Sequence, residues 1–229
     1  MKRPSARPPL RAVFLDFDGV VLESADIKTD AFQWLFRREP ARRAIVEYHR
    51  RNAGVSRFVK FAHIHRAILK KPYGPAERRR LGAAFARYVR GRVLAAPFVR
   101  GARRFIDRYG SRVKLFVVSG TPSAELKDIV RRRGLARSFV AVVGSPPDKA
   151  ATLRRLLRRH GWRAAETLYV GDALNDHRAA TECGVGFLGR LKAGARSPFP
   201  RGTPRAADFP TIARWIERFY SVPGGQESL

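Results

Sequence analysis

Residues 12–24 read AVFLDFDGVVLES. The run Ala12-Val13-Phe14-Leu15 is wholly apolar, as expected for a short strand buried on both faces. It leads directly into two acids, Asp16 and Asp18, and then Gly19. A buried strand gains no stability from two neighbouring carboxylates. They belong either to a solvated turn or to a place where the protein needs negative charge.

Working outward, five apolar, β-branched-rich runs read as strands: 11–16, 113–118, 139–143, 167–170 and 184–188. Helical patterns at 122–133, 148–160 and 173–182 separate the later four. Strands alternating with helices predict an α/β fold with a parallel sheet covered on both faces. The first gap is different. Residues 25–38, 41–52, 56–70 and 76–94 all read as helices, punctuated by Pro40, KPYGP and Pro97, and no strand is evident before residue 112. A strand-to-helix connection normally takes a few residues. The gap is therefore read as an inserted helical domain, 22–97, in a core made of 1–21 and 98–229, with a core helix at 100–109 leading back to the second strand. The tail after about 221, SVPGGQESL, reads as frayed.

The 229 residues and 45% hydrophobic content suit one core domain with an insert and exclude a disordered chain. The basic, then apolar, start resembles a signal peptide only superficially, because Asp16 and Asp18 break the apolar run. No stretch approaches a membrane span. A single cysteine, Cys183, rules out an intrachain disulfide and fits a reducing, cytoplasmic setting. Lysine and arginine number 47 against 19 acids, a formal net charge of +28. Such a field attracts nucleic acid, anionic lipid or a phosphorylated substrate. The simpler reading is solvated helix faces, as in KAATLRRLLRRHG, where arginine pairs flank a leucine stripe. No basic cluster is interleaved with aromatics for base stacking, so nucleic acid is a possible partner but not the favoured one.

Ligands of open parallel sheets bind beyond the carboxyl ends of the strands. There the sequence places Asp16-Phe17-Asp18-Gly19, Ser119-Gly120-Thr121, and Gly171-Asp172 with Asp176 four residues on; Lys149 opens the helix after the third strand. Each alone is an ordinary turn or cap. Together they gather several carboxylates, a hydroxyl and an ammonium at one sheet edge. Crowded carboxylates raise each other's pKa, and a divalent cation relieves the repulsion; oxygen ligands with open positions suit Mg²⁺. The chemistry that follows is phosphoryl transfer. Asp16 attacks phosphorus to form an aspartyl phosphate, and Lys149 and the metal offset the like-charge repulsion. Ser119 and nearby backbone amides hold phosphoryl oxygens. Asp18 protonates the leaving oxygen and then deprotonates water.

With these residues the chain resembles the haloacid dehalogenase superfamily of phosphohydrolases. Its four motifs occur in order: DFDGV at 16–20, VVSGT at 117–121, Lys149 in PPDKAATL, and GDALND at 171–176. The resemblance implies a Rossmann-like core and a C1-type α-helical cap, with Asp16 as nucleophile and Asp18 as acid and base. It also implies Mg²⁺ on the Asp16 carboxylate, the Asp18 carbonyl and Asp172, supported by Asp176, and phosphate bound by Ser119 and Gly120. AGVSRFVKF at 53–61 resembles the specificity segment of β-phosphoglucomutase-like caps. It implies that Arg57 contacts a distal anionic group of the substrate; an exposed helix-end arginine is the alternative.

An aspartate at position 18 favours a phosphatase or phosphomutase within this family. Lys28 stands where mutases of the β-phosphoglucomutase type carry a hinge histidine, which weakens the mutase reading. The expectation is a Mg²⁺-dependent phosphatase acting on a small phosphorylated metabolite, a sugar phosphate or a phosphoglycolate-like molecule. The alternatives are a mutase, or a non-catalytic basic protein binding nucleic acid or another polyanion. His49, His63 and His65 are expected to pack or lie at the surface, and Cys183 to be a small core residue. Oligomeric state is not legible.

Overall fold

Period-two alternation within Ala12–Leu15 (β1) divides the protein's interior. Val13 and Leu15 face one apolar layer, and Ala12 and Phe14 face the other. All four are fully buried, because β1 is paired on both sides and covered on both faces. This is a computed structural model that describes residues 7–224. The start of the basic leader and residues 225–229 lie outside that range.

Parallel β1 pairs with Lys114–Pro122 (β2) on one side, Val13 opposite Leu115, and with Thr167–Gly171 (β4) on the other, Val13 opposite Leu168. Ala141–Ser145 (β3), Gly186–Arg190 (β5) and Arg205–Ala206 (β6) complete a sheet of order β3-β2-β1-β4-β5-β6. The order reverses direction at β1, and a crevice opens beyond the carboxyl ends of β1, β2 and β4. Every acid singled out above lies at that crevice or just after it.

The chain leaves β1 and forms four consecutive helical segments before returning: Ala25–Leu35 (α1), Arg42–Arg51 (α2), Arg57–His63 (α3) and Pro75–Ala95 (α4). They bury an aromatic cluster in which the Phe32 ring lies 5.5 Å from Phe61 and 5.3 Å from Phe85. This is the inserted helical cap. Its third helix is not one regular run over 56–70. It widens to a π-turn at Ile64–Leu69 and stops at Lys70, which is left-handed at φ 53°. Ala102–Gly110 (α5) then crosses back to the sheet, burying Phe105, Ile106 and Tyr109.

The remaining helices are Ser123–Arg132 (α6), Lys149–His160 (α7), Leu174–Glu182 (α8) and Phe209–Phe219 (α9). The Asp148 side chain caps α7 by accepting from the Ala151 amide at 2.7 Å, and left-handed Gly161 ends it.

Four expectations change. β2 continues to Pro122, so Ser119-Gly120-Thr121 form its irregular end rather than a following loop; the register with β3 shifts between Val118 and Pro122. The third strand starts at Ala141, not 139, because Phe139 turns into the core. β6 and α9 were not anticipated, although the Asp208 cap and the buried Phe209, Ile212 and Ile216 carry a helix signal. Position 221 is not frayed: the Leu10 amide donates to Ser221 O at 2.8 Å, tying that point to the first strand's lead-in. Among the described residues, no helix is long and apolar enough to cross a membrane.

Candidate active site

The Asp16 amide still donates to Val170 O at 3.0 Å, so its backbone is held by the sheet itself. One carboxylate oxygen accepts from the Phe17 amide at 2.7 Å and the other from Lys149 Nζ at 2.8 Å. The chain then turns through Gly19, at φ 79°. A β-carbon there would collide with the Asp172 carboxylate, so glycine is required for conformation and for space. Arg190, from the end of β5, braces this turn by donating to Gly19 O at 3.1 Å and to Glu23 at 2.9 Å.

Lys149, at the first turn of α7, also binds Asp176. Asp176 is fixed further by the Ala173 amide at 3.0 Å and lies 3.2 Å from the Tyr169 hydroxyl, which donates to Val118 O at 2.7 Å. Asp16, Asp172 and Asp176 each offer a carboxylate oxygen, and these oxygens lie within 4.8 Å of one another. Burial pushes Asp172 well above the ordinary carboxylate range, and Asp16 and Asp176 add to the rise. Burial likewise raises Asp176 to about 6 against the pull of Lys149. Burial opposes the Lys149 charge, but Asp16 and Asp176 outweigh it and lift the ammonium above its ordinary value.

One ammonium therefore serves two of three clustered acids, and Asp172 makes no ion pair among the described residues. Hard oxygen donors with surplus negative charge fit a divalent cation.

The Asp18 side chain turns away from this trio. Ser24 Oγ donates to one oxygen at 2.7 Å; Thr121 Oγ1, at 3.0 Å, and Lys28 serve the other. Burial would raise this carboxyl, but Lys28 and the two hydroxyls hold it below its ordinary value. Ser119 accepts from the Thr121 amide at 3.3 Å. A β-carbon on Gly120 would meet the Gly54 carbonyl of the cap, and Asn175 Nδ2 reaches the same carbonyl at 3.4 Å. The cap is thus seated on the core, and between them lies a cavity of about 840 Å³ including its mouth. Asp16, Asp18, Asp172, Ser119 and Gly120 border it on the core side.

Arg57 also borders the cavity but is not an exposed helix-end residue: it is 8% exposed and forms a two-bond ion pair with Glu125 of α6. Sequence reasoning takes Lys28 only as the residue at the mutase hinge position and His49 only as a packing or surface residue, and it misses Lys60 and Tyr169 as parts of this region. The signal for Lys60 was its place three residues after Arg57, which puts both on one helix face. His63 stacks on Tyr48, and His177 packs against Phe187, apart from the cavity. Cys183 is partly buried, donating to Ala150 O at 3.4 Å.

A model of haloacid dehalogenase-like hydrolases matches residues 10–184. A phosphoglycolate phosphatase from Vibrio parahaemolyticus is 35% identical over 78 residues, which is 32% of this chain and 34% of that protein. The matched stretch thus spans about a third of the curated relative. Among solved structures, CbbY from Rhodobacter sphaeroides, in complex with phosphate, superposes with a TM-score of 0.69 at 18% identity, covering 87% of this chain and 95% of that one. A haloacid dehalogenase-like family hydrolase from Streptococcus pneumoniae gives 0.66 at 15% identity, with 90% and 98% covered. These likenesses agree with the sheet order and the inserted helices. The match over residues 10–184 spans most of the sheet and the whole crevice, and the chain belongs to the haloacid dehalogenase-like hydrolase family.

Proposed function

We propose that this protein is a Mg²⁺-dependent phosphatase for a small phosphorylated metabolite, working through an aspartyl phosphate on Asp16. The observation that carries this reading is the cluster of Asp16, Asp172 and Asp176, two of them on Lys149, of which Asp16 and Asp172 reach a cavity that Asp18 and Ser119 also line. The domains follow the same division: a core of 1–21 and 98–229, and a cap of 22–97.

Asp16, Asp172 and Asp176 would hold the cation, with the Asp18 carbonyl as a further ligand; when bound, it would polarise the phosphoryl group and offset negative charge. Lys149 holds Asp16 aimed from the strand end. An Asp16 oxygen attacks phosphorus, and the bond from phosphorus to the leaving oxygen breaks. Ser119 Oγ and the Gly120 amide steady the phosphoryl oxygens. Asp18, held ionised here by Lys28, first leaves Ser24 and Lys28 and takes up a proton, which it then gives to the leaving oxygen. It then takes a proton from water, whose oxygen attacks the aspartyl phosphate, releasing inorganic phosphate and restoring Asp16. The seated cap keeps other water out.

The expected result is Mg²⁺-dependent hydrolysis of p-nitrophenyl phosphate that Asp16→Asn removes. Full activity in that variant would overturn the mechanism.

A further inference from the structure

The cap wall of the cavity holds a buried cation that no carboxylate among the described residues pairs with. Lys60 is 4% exposed and lines the cavity with His49 and Arg50. Its ammonium donates to His49 Nδ1 at 3.0 Å and approaches Asn52 O at 3.4 Å. It makes no ion pair with a carboxylate among the described residues. His49 cannot supply negative charge. Its ring stacks on Phe32 at 4.2 Å, its Nε2 meets Thr29 Oγ1 at 3.1 Å, and burial beside Lys60 lowers it to about 2, so it stays neutral. One turn back on α3, Arg57 is already paired with Glu125, yet its buried Nε has no hydrogen-bond partner among the described residues.

A buried ammonium with only neutral acceptors is costly and is found where a ligand or a reaction needs it. Burial lowers Lys60 to about 7, and the cations Lys28 and Lys149 add to the effect. An anion placed in the cavity would be its missing counter-charge and would use its third donor.

We infer that Lys60, rather than Arg57, selects the substrate by ion-pairing a second anionic group, a carboxylate or a phosphate, carried by a phosphomonoester at the end away from the scissile phosphate. The inference rests on the phosphatase reading above. Asp16 and Ser119 line the cavity from the core and Lys60 lines it from the cap, so the two ends of one bound molecule meet different walls. A charge-assisted bond of this kind contributes roughly tenfold to a hundredfold in kcat/KM.

The test uses two matched pairs on the full chain with Mg²⁺. One compares 2-phosphoglycolate with 2-hydroxyethyl phosphate. The other compares 1,3-propanediol bisphosphate with 3-hydroxypropyl phosphate. The wild type is expected to prefer the anion-bearing member of at least one pair by roughly tenfold or more. Which pair shows the preference separates a carboxylate from a phosphate as the second anion. Lys60→Met should bring that ratio to about one, and Lys60→Arg should keep most of it. Lys60→Gln replaces Lys60→Met if the latter does not fold by circular dichroism. A wild-type ratio near one in both pairs, or a ratio that survives the loss of the charge, overturns the inference while p-nitrophenyl phosphate turnover leaves the phosphatase reading standing. An equal loss on both members of a pair places Lys60 at the scissile phosphate instead and also overturns it. No turnover of any phosphate by the wild type overturns both readings.

Discussion

Lys149 and Lys60 are each 4% exposed, Lys149 behind Asp16 in the core and Lys60 in the cap wall of the cavity, yet their surroundings are opposite. Lys149, on the core side, is wedged between Asp16 and Asp176. Lys60, on the cap side, meets an imidazole and a backbone carbonyl. The core supplies its own counter-charges and even leaves an acid in surplus, whereas the cap leaves a cation in surplus. The difference teaches that the two walls do different work. The core wall holds its lysine between two acids and leaves Asp172 for a cation. The cap wall gains its balance from what enters.

The most drastic way to break this comparison is at Asp16, the proposed nucleophile. Asp16→Asn should lower aryl phosphate hydrolysis by about 10⁴-fold or more, measured as kcat, while folding is retained. Removal of divalent cations with a chelator should cost at least about 10²-fold in rate, and added Mg²⁺ should restore it. If the chelated protein kept its rate, the acid trio would have to be explained without a cation.

The stability arm is sharper, because it sets the two lysines against each other. Lys149→Met leaves Asp16 and Asp176 buried without their partner and should cost roughly 3–5 kcal/mol in denaturant unfolding. Lys60→Met removes no ion pair and should be neutral or stabilising. Equal losses would erase the distinction between the walls.

The smallest expected effect is in the pH dependence of Lys60. In the unfolded chain it holds its proton up to its ordinary 10.5; in the folded protein, only up to about 7. Between those values the unfolded state binds more protons, so stability contributed by this site rises with pH from about 7 toward 10.5. The charges acting on it are Lys28 and Lys149, with His49 neutral beside it. Thermal melts of wild type and Lys60→Met across pH 7–9 should converge as pH rises. A constant gap would show that Lys60 keeps its charge.

Much of the core was legible from sequence because local pattern and chemistry coincide there. A wholly apolar strand ending in Asp16 and Asp18, a capped helix opening with Lys149, and GDALND after another apolar strand each announce their place without tertiary information. Strand periodicity fixes which residues face which layer, and a parallel sheet fixes where strand ends meet. The irregular end of β2 was not legible, since Ser119-Gly120-Thr121 reads as a loop until β3 is placed beside it.

The sequence by itself determined the α/β class, the helical insert and the identity of the acids at the crevice, because hydrophobic period and motif spacing are properties of contiguous residues. Only the tertiary structure decided that Asp18 meets Lys28, that Arg57 is taken by Glu125, and that Lys60 is buried with no acid partner among the described residues. Those facts join side chains 10, 68 and 11 positions apart across separate elements. Charge balance in a cavity depends on which of many lysines and arginines the fold turns inward, and in a chain with 47 of them spacing cannot choose.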